Sequence, residues 1–358
     1  MVPYIILTLI GVGYAFLDVT NLKNNRFLYF ILFSFLVLFI GFRDNIGTDW
    51  WIYERLFLLK DVESIIEPGF NLIQIIVRRF FGHNVFSLIF FVAFVSVGIK
   101  FLAFNRLAPL WSTAVLFYFG SFGVNQDMNM IRQGLAVGIL LFSLPFLSSG
   151  KIKMFVFVVL IASLFHVSSL VFLVAPVFKK MKDLSLIGVL VVVLSASLFM
   201  FIDIVDFLRF LVSTVIVKVL PIPIIQEKLM FYITSRFAVA NGFYLGSLFL
   251  LYYVILFGAY RKSINSDFYN VMYIVFVLGG VVLNFLFNSF EVLGRLTFHF
   301  QLIGAILYSY VVHAEKRMSL KFLYLLVLSV IMLIKVVSYV GSDNRRENFI
   351  PYKNVLQL

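Results

Sequence analysis

Long runs of apolar residues alternate with short polar segments along most of the chain. A helix that crosses a lipid bilayer needs ~20 mostly apolar residues, somewhat fewer where the helix is short or partly interfacial. The pattern predicts ten such helices, at roughly 2–18, 27–42, 84–100, 109–124, 130–148, 185–202, 243–260, 268–287, 296–313 and 319–340.

One further apolar stretch, 152–178, is too long for a single span and carries His166 and two serines near its middle. We expect a broken hairpin of two short helices, 152–164 and 168–178, that turns at the HVSS sequence. The prediction is therefore an all-α polytopic membrane protein with about 11–12 membrane helices, forming a single integral membrane domain over residues 1–358.

The composition supports a membrane protein. Of the 358 residues, 62% are hydrophobic and 13% are charged, against ~25% charged in an ordinary soluble domain. The first apolar run has no basic region before it and no small-residue cleavage site after it, so we expect a retained helix rather than a signal peptide. The absence of cysteine excludes disulfides, thiolate metal sites and a cysteine nucleophile.

The net charge of +12 indicates basic loops that set the membrane topology rather than a nucleic-acid-binding surface, because the basic residues fall mostly between apolar runs. With the hairpin counted as two helices, six basic loops lie on one side of the membrane: Lys23/Arg26, Lys100/Arg106, Lys151/Lys153, Lys179/Lys180/Lys182, Arg261/Lys262 and Lys316/Arg317/Lys321. Basic loops favour the cytoplasm. Both termini are therefore predicted in the periplasm, and segments 43–83 and 203–242 are predicted to cover a site there.

The basic residues on the predicted periplasmic side differ in type from those on the other side. The cytoplasmic loops hold ten Lys and four Arg, whereas the outer side holds four Lys and ten Arg. Guanidinium groups form forked hydrogen bonds with phosphate and carboxylate, which favours an anionic substrate at the outer face. The alternative is that these arginines lie in long loops, where the charge rule is weak.

The segment RDNIGTDWWIYERLF, 43–57, follows the second predicted span. It mixes carboxylates and arginines, including Arg43 and Asp49, with the aromatic residues Trp50, Trp51 and Tyr53. Aromatic rings can stack on sugar C–H faces while acids accept hydrogen bonds from hydroxyls, so these rings are candidates for sugar binding. The alternative is an ordinary interfacial aromatic belt.

The next segment, EPGFNLIQIIVRRFFG at 67–82, carries a helix start, with Glu67 before a proline at the first helical position. Glu67, Asn71, Gln74 and Arg78 then form one polar stripe at helical spacing. The stripe predicts a helix that lines a cavity or lies in the outer interface.

Two further groups place charged or titratable residues inside predicted spans. Asn125, Asn129 and Arg132 fall on one predicted helix face, and an arginine there is costly unless it is paired or faces an aqueous cavity. Glu291, Arg295 and His299 form a similar face. The alternative for the second group is a structural ion pair within the helix. His166, at the turn of the predicted hairpin, could be either a structural histidine with satisfied hydrogen bonds or a base.

Several signatures are absent: the phosphate loop ending in GK[ST], HExxH, GxSxG and an exposed DxD pair. We therefore expect a metal-independent mechanism without a cofactor.

The segments RDNIGTDWWIY, EPGF, MIRQGLAVGI, LIASLFHVSSL and GRLTFHF, taken together and in this order from 43 to 300, resemble the EpsG/Wzy family of polysaccharide polymerases. This resemblance implies a GT-C-like glycosyltransferase, an O-antigen polymerase type of enzyme, in the bacterial inner membrane with its site facing the periplasm. Such an enzyme would move a growing glycan from undecaprenyl diphosphate onto the non-reducing end of a new lipid-linked repeat unit, beside membrane lipid and a chain-length regulator protein.

On this interpretation the candidate residues divide into three roles. Arg132 and Arg295, assisted by Arg43 or Arg236, would stabilise the departing diphosphate. His166 is the first candidate for the general base, with Asp49 and Glu67 as rivals. Trp50, Trp51, Tyr53, Glu291 and His299 would hold sugar. The alternatives are an O-antigen ligase on a related scaffold, or a flippase or transporter, for which internal repeats are expected and none is found.

Overall fold

The structure is a computed structural model that describes residues 1–20, 26–58, 67–201, 214, 245–287 and 291–357. Within these ranges the chain is helical and contains no β-strand beyond an isolated bridge between Arg43 and Asn354. The all-α prediction is confirmed.

The helices follow the apolar runs closely. In chain order they are α1 Val2–Val19, α2 Arg26–Gly41, α3 Trp50–Leu58, α4 Pro68–Phe81, α5 Val85–Leu107, α6 Trp111–Tyr118, α7 Ile131–Leu141, α8 Leu144–Ser148, α9 Ile152–Ser163, α10 Ala175–Lys179, α11 Leu186–Ser197, α12 Leu245–Ala259, α13 Asp267–Leu286, α14 Arg295–Ala314 and α15 Met318–Gly341.

Five of these helices, α1, α5, α13, α14 and α15, are long and apolar enough to cross a membrane, and several shorter apolar helices lie between them. Many large apolar side chains on the outside of the bundle are exposed, such as Phe27, Ile187 and Leu198. Exposed apolar surface on this scale needs lipid rather than water. The chain is thus a multi-pass membrane protein, and the sidedness of its loops and termini stays a prediction.

The predicted hairpin at 152–178 is present. Helix α9 ends at Ser163, the backbone of His166 is extended, and a 3-10 helix from Val167 to Val174 leads into α10. Because the helix stops before His166, its side chain projects from a turn.

The structure corrects two sequence predictions around helices α5 and α7. Lys100 is not in a cytoplasmic loop, because α5 continues to Leu107 and the Lys100 side chain is fully buried beside Asp127. The carboxylate neutralises the ammonium group, which allows the helix to continue past it.

Residues 125–132 do not form one helical face either. A π-helix, Phe119–Asp127, ends there, and α7 begins only at Ile131.

The core positions the ends of these helices. Helix α1 packs on α6 and α15, α5 lies between α2 and α7, and α7 contacts α9. The start of α4, the start of α7 and the turn after α9 are consequently brought together.

Candidate functional site

Glu67 contacts two residues that are distant from it in the chain, Arg132 and His166. One carboxylate oxygen, Oε2, lies 2.7 Å from Nη1 of Arg132. The other, Oε1, lies 3.1 Å from Nδ1 of His166. The Glu67 side chain is 14% exposed, and those of Arg132 and His166 are about a quarter exposed, at 24% and 26%. We call these three side chains the Glu67 cluster.

A glycine allows the start of α4 to approach the hairpin turn. The N–H of Gly69 donates to the carbonyl oxygen of Leu164 at 2.8 Å. A Cβ atom at position 69 would lie 2.8 Å from the same oxygen, which is too close for any real side chain. Glycine at this position therefore lets Glu67, two residues earlier, reach His166, two residues after Leu164.

The two partners of Glu67 decide its charge. Burial on its own raises the pKa of Glu67, but the hydrogen bond with His166 and the positive charge of Arg132 outweigh it and lower the pKa to about 2. An ionised carboxylate can only accept hydrogen bonds. Nδ1 of a neutral His166 must then carry the proton, and its Nε2 keeps a lone pair. No hydrogen bond to Nε2 occurs within the part of the chain that the structure describes.

Arg132 retains hydrogen-bond donors beyond the one that Glu67 accepts. Its Nε–H is buried and has no partner among the described residues. The guanidinium also forms a hydrogen bond with the side chain of Tyr53 and lies 5.9 Å from the ring centroids of both Tyr53 and Phe70. A guanidinium is weakly hydrated and binds oxyanions through several donors at once, so this arrangement suits a phosphate oxygen.

Helix α14 packs alongside the Glu67 cluster. The side chain of Gln133, next to Arg132 in the chain, donates to the backbone carbonyl of Arg295 at 2.8 Å. His299 lies one turn further along and is 2% exposed. Its Nδ1–H donates to the carbonyl of Leu296 at 2.9 Å, and its Nε2 is 3.1 Å from Oγ of Ser168, which therefore donates to it.

Both ring nitrogens of His299 are thus occupied by the protein. This favours a structural role, in which His299 fixes the hairpin against α14, over the predicted sugar contact. Ser168 and Gln133 complete these links, and neither is a predicted site residue, because neutral polar residues in apolar runs are common.

The loop before α3 is attached to the loop before α7. Gly47 has a φ of +106°, and a Cβ there would lie 2.3 Å from the carbonyl oxygen of Met128. The Oδ1 atom of Asn129 accepts hydrogen bonds from Oγ1 of Thr48 at 2.8 Å and from the N–H of Asp49 at 3.1 Å. Asp49 is therefore fixed to a residue three positions before Arg132.

Arg43 lies outside the Glu67 cluster. It is 1% exposed, and its guanidinium donates to the carbonyl oxygens of Ile40 at 2.5 Å and Ile46 at 3.2 Å. Burial lowers its pKa to about 10. Because Arg43 is almost fully buried and two of its donors bind backbone carbonyls, the structure favours a role in holding the end of α2 over the predicted contact with diphosphate.

The three aromatic residues after Asp49 differ in exposure. Trp50 is 5% exposed and Tyr53 is 3% exposed, so both belong to the core, whereas Trp51 is 59% exposed. Burial raises the pKa of Tyr53 to about 12. Of these three, Trp51 is the one with a ring face available to a sugar, whereas the burial of Trp50 and Tyr53 favours a role in packing over the predicted sugar contact.

Two predicted residues cannot be placed. Arg236, with nearly all of segment 203–242, lies outside the described residues, and so does the side chain of Glu291. Within the described ranges, no group of three or more His, Asp or Glu side chains could hold a metal ion.

The sequence model of a known family, the EpsG family, matches residues 26–354, which is nearly the whole chain. Comparisons with curated proteins and with solved structures gave no match.

Proposed function

Because the chain belongs to the EpsG family, whose members are polysaccharide polymerase-type membrane proteins, we propose that it is a glycosyltransferase that polymerises lipid-linked oligosaccharide repeat units. The growing glycan would move from undecaprenyl diphosphate onto the non-reducing end of a new lipid-linked unit. The observation that carries the proposal is the Glu67 cluster, which joins an oriented imidazole to a guanidinium whose Nε–H has no partner among the described residues.

The reaction needs a base for the acceptor hydroxyl. As the acceptor oxygen bonds to the anomeric carbon of the donor, its proton passes to Nε2 of His166. The bond between that carbon and the diphosphate oxygen breaks, and the electron pair leaves with the lipid diphosphate. His166 returns its proton to the diphosphate or to water, so charge and protons balance.

Glu67 acts as the positioning residue for this base. A carboxylate on Nδ1 fixes the tautomer of a histidine and stabilises the imidazolium that forms during proton transfer. With a pKa of about 2, Glu67 itself is a weak base at neutral pH. The geometry therefore favours His166 over Glu67, while Asp49 remains the rival base.

Arginine side chains supply the positive charge that the leaving diphosphate needs. Arg132 offers its buried Nε–H, and Arg295 lies on α14, whose backbone is bound to the residue after Arg132. Charge-assisted donors in a site from which water is excluded can stabilise a departing anion strongly. We propose that these guanidinium groups replace a metal ion, with Arg236 as a further candidate.

The proposal places this reaction at the periplasmic leaflet of the bacterial inner membrane. Segments 43–83 and 203–242 would cover the site, and the scaffold would be of the GT-C type. Trp51 and the Glu291 region would contact sugar, and a chain-length regulator protein would act beside the enzyme.

A deletion strain tests the function through its surface glycan on a gel. Loss of a polymerase leaves single repeat units attached, whereas loss of an O-antigen ligase or of a transporter leaves none. Complementation with the wild-type gene should restore the ladder, and Arg132→Ala should not. Arg79→Ala is the matched control, because Arg79 is an exposed arginine on α4. A ladder that persists in the deletion strain, or full activity of Arg132→Ala, would refute the proposed mechanism.

A further inference from the structure

Helix α15 contains two lysines, of which Lys335 lies deep in an apolar run, and its side chain points into the bundle. Its Nζ donates to Oγ of Ser121 at 3.2 Å. The same atom lies 6.0 Å from the ring centroid of Phe117 and 5.7 Å from that of Tyr253. The ammonium group is therefore directed toward the other helices rather than toward the end of its own helix.

Lys335 has no carboxylate partner in the described part of the chain. Other basic side chains there do have one: Lys100 lies beside Asp127, Lys182 beside Asp267 and Arg132 beside Glu67. A cation within a membrane segment is costly unless it is paired or faces a polar cavity. Lys335 therefore needs a cavity, an anion or both.

A cavity of about 180 Å³ adjoins Lys335. Ser121, Asn125, Gln301 and Tyr339 line it with hydroxyl and amide groups, and none of its lining residues is acidic. A cavity needs roughly 10–15 Å³ for a single water, so this one can hold a phosphate-sized group. We call it the Lys335 cavity.

Further positive charge lies near this cavity. The guanidinium carbon of Arg345 lies 4.4 Å from the ring centroid of Tyr339. Tyr339 also interacts electrostatically with Arg295 and, with the opposite sign, with the carboxylate of Asp49. The cavity also borders the loop before α7, because Nδ2 of Asn129, three residues before Arg132, is 3.5 Å from the hydroxyl oxygen of Tyr339.

We propose that the Lys335 cavity binds a phosphate-bearing group and that it is a second anion site beside the Glu67 cluster. This rests on the proposed function, in which two lipid-linked substrates meet and each carries a diphosphate. Two like-charged groups repel each other at short range. Separate cationic sites at Arg132 and Lys335 would hold the two diphosphates apart while the sugars meet.

Calorimetric titration of the purified full-length protein in detergent with inorganic pyrophosphate tests this. We expect two binding events for the wild type, one for Lys335→Met, one for Arg132→Met and none for the double variant. Loss of a charge-assisted contact should weaken binding at that site at least ten-fold. Lys321→Met is the matched control, since Lys321 lies on the same helix at the opposite end, and it should keep both events.

The two variants separate the two proposals. Two unchanged events in Lys335→Met would overturn the Lys335 site, and an unchanged Arg132→Met would overturn the role of Arg132. Ser121→Leu, which fills the cavity but keeps the lysine, gives a second measurement should Lys335→Met not fold. If it retained both events, the cavity would not be the binding site.

Competition identifies the source of the phosphate. A polyprenyl diphosphate should displace pyrophosphate from the Lys335-dependent site, whereas phosphatidylglycerol should not. Displacement by phosphatidylglycerol alone would show a lipid headgroup site and would overturn the assignment to substrate.

Discussion

An oxygen of the Glu67 carboxylate lies 3.1 Å from Nδ1 of His166, although 99 residues separate the two in the chain. The second oxygen of the same carboxylate binds Arg132. Glu67 thus orients an imidazole and balances the charge of a guanidinium at once. A change at Glu67 is expected to affect both groups, while changes at His166 and Arg132 can be separated.

Replacement of His166 tests the general base. His166→Gln keeps a polar side chain but cannot take up a proton, so the rate of polymerisation should fall by about 10²–10⁴-fold with a small change in KM. His83→Gln, at an exposed histidine, should be silent. The measurement is polymer formation from lipid-linked repeat units by the purified variants. Normal turnover by His166→Gln together with loss in Asp49→Asn would identify Asp49 as the base.

The low pKa of Glu67 predicts a pH dependence of stability. Its pKa falls from 4.5 to about 2 on folding, which corresponds to roughly 3 kcal/mol. A lowered pKa stabilises the folded state above the unfolded value, and that contribution is lost as the pH falls through 4.5 toward 2. The free energy of unfolding of the wild type should therefore exceed that of Glu67→Gln by a constant amount above pH 5, and by less at pH 3.

Thermal unfolding of both proteins in detergent at several pH values measures this difference. If the difference already declined between pH 7 and pH 6, Glu67 would titrate near neutrality. It would then be a better candidate for the base than the present geometry suggests.

The sequence predicted the helices well because the bilayer sets the length of each apolar run. It failed where a residue depends on a partner that is distant in the chain. The pattern of basic loops predicts Lys100 between two spans, because the sequence does not show that Asp127 lies beside it in the structure. The sequence predicts a contact between Arg43 and substrate, because its position does not reveal that the side chain is buried and donates to two backbone carbonyls.

The residues of the candidate site could be predicted from the sequence, but the contacts between them could not. Arg132 and His166 were conspicuous as charged or titratable groups in apolar runs. Their link through Glu67 has no periodic signature, because it joins the start of α4 to two other segments. Likewise, the order of residues alone does not show that Trp50 is buried and Trp51 exposed. That difference arises because the short helix α3 packs against α5.

The two tryptophans provide a test of sugar binding. Trp51→Ala should raise KM for the lipid-linked substrate by roughly three- to ten-fold, the range expected for loss of an aromatic stacking contact, with the unfolding temperature unchanged. Trp50→Ala should instead lower the free energy of unfolding by about 3–5 kcal/mol, because it leaves a cavity in the core. Steady-state kinetics and thermal unfolding of both variants separate the two effects. An unchanged KM in Trp51→Ala would remove Trp51 from the site.

The buried pair Lys100–Asp127 predicts a stability effect that a second substitution reverses. Nζ of Lys100 lies 2.8 Å and 2.9 Å from the two oxygens of Asp127, and the hydroxyls of Ser96 and Tyr118 donate to the same carboxylate. Lys100→Met leaves that carboxylate buried without its counter-ion, which should cost about 3–5 kcal/mol. The double variant Lys100→Met/Asp127→Leu should regain most of this loss, because neither charge remains.

The same pair should also affect catalysis, because Asp127 ends the π-helix just before α7. A Cβ at Gly134, in the first turn of α7, would lie 2.9 Å from Oδ1 of Asp127, so the carboxylate packs directly against the helix that carries Arg132. Lys100→Met should therefore reduce polymer yield as well as the unfolding temperature, while Lys151→Met, at an exposed lysine, should change neither. If Lys100→Met unfolded at the wild-type temperature, the pair would contribute little to stability. If the stable double variant remained inactive, Asp127 would be needed to position Arg132 beyond its effect on stability.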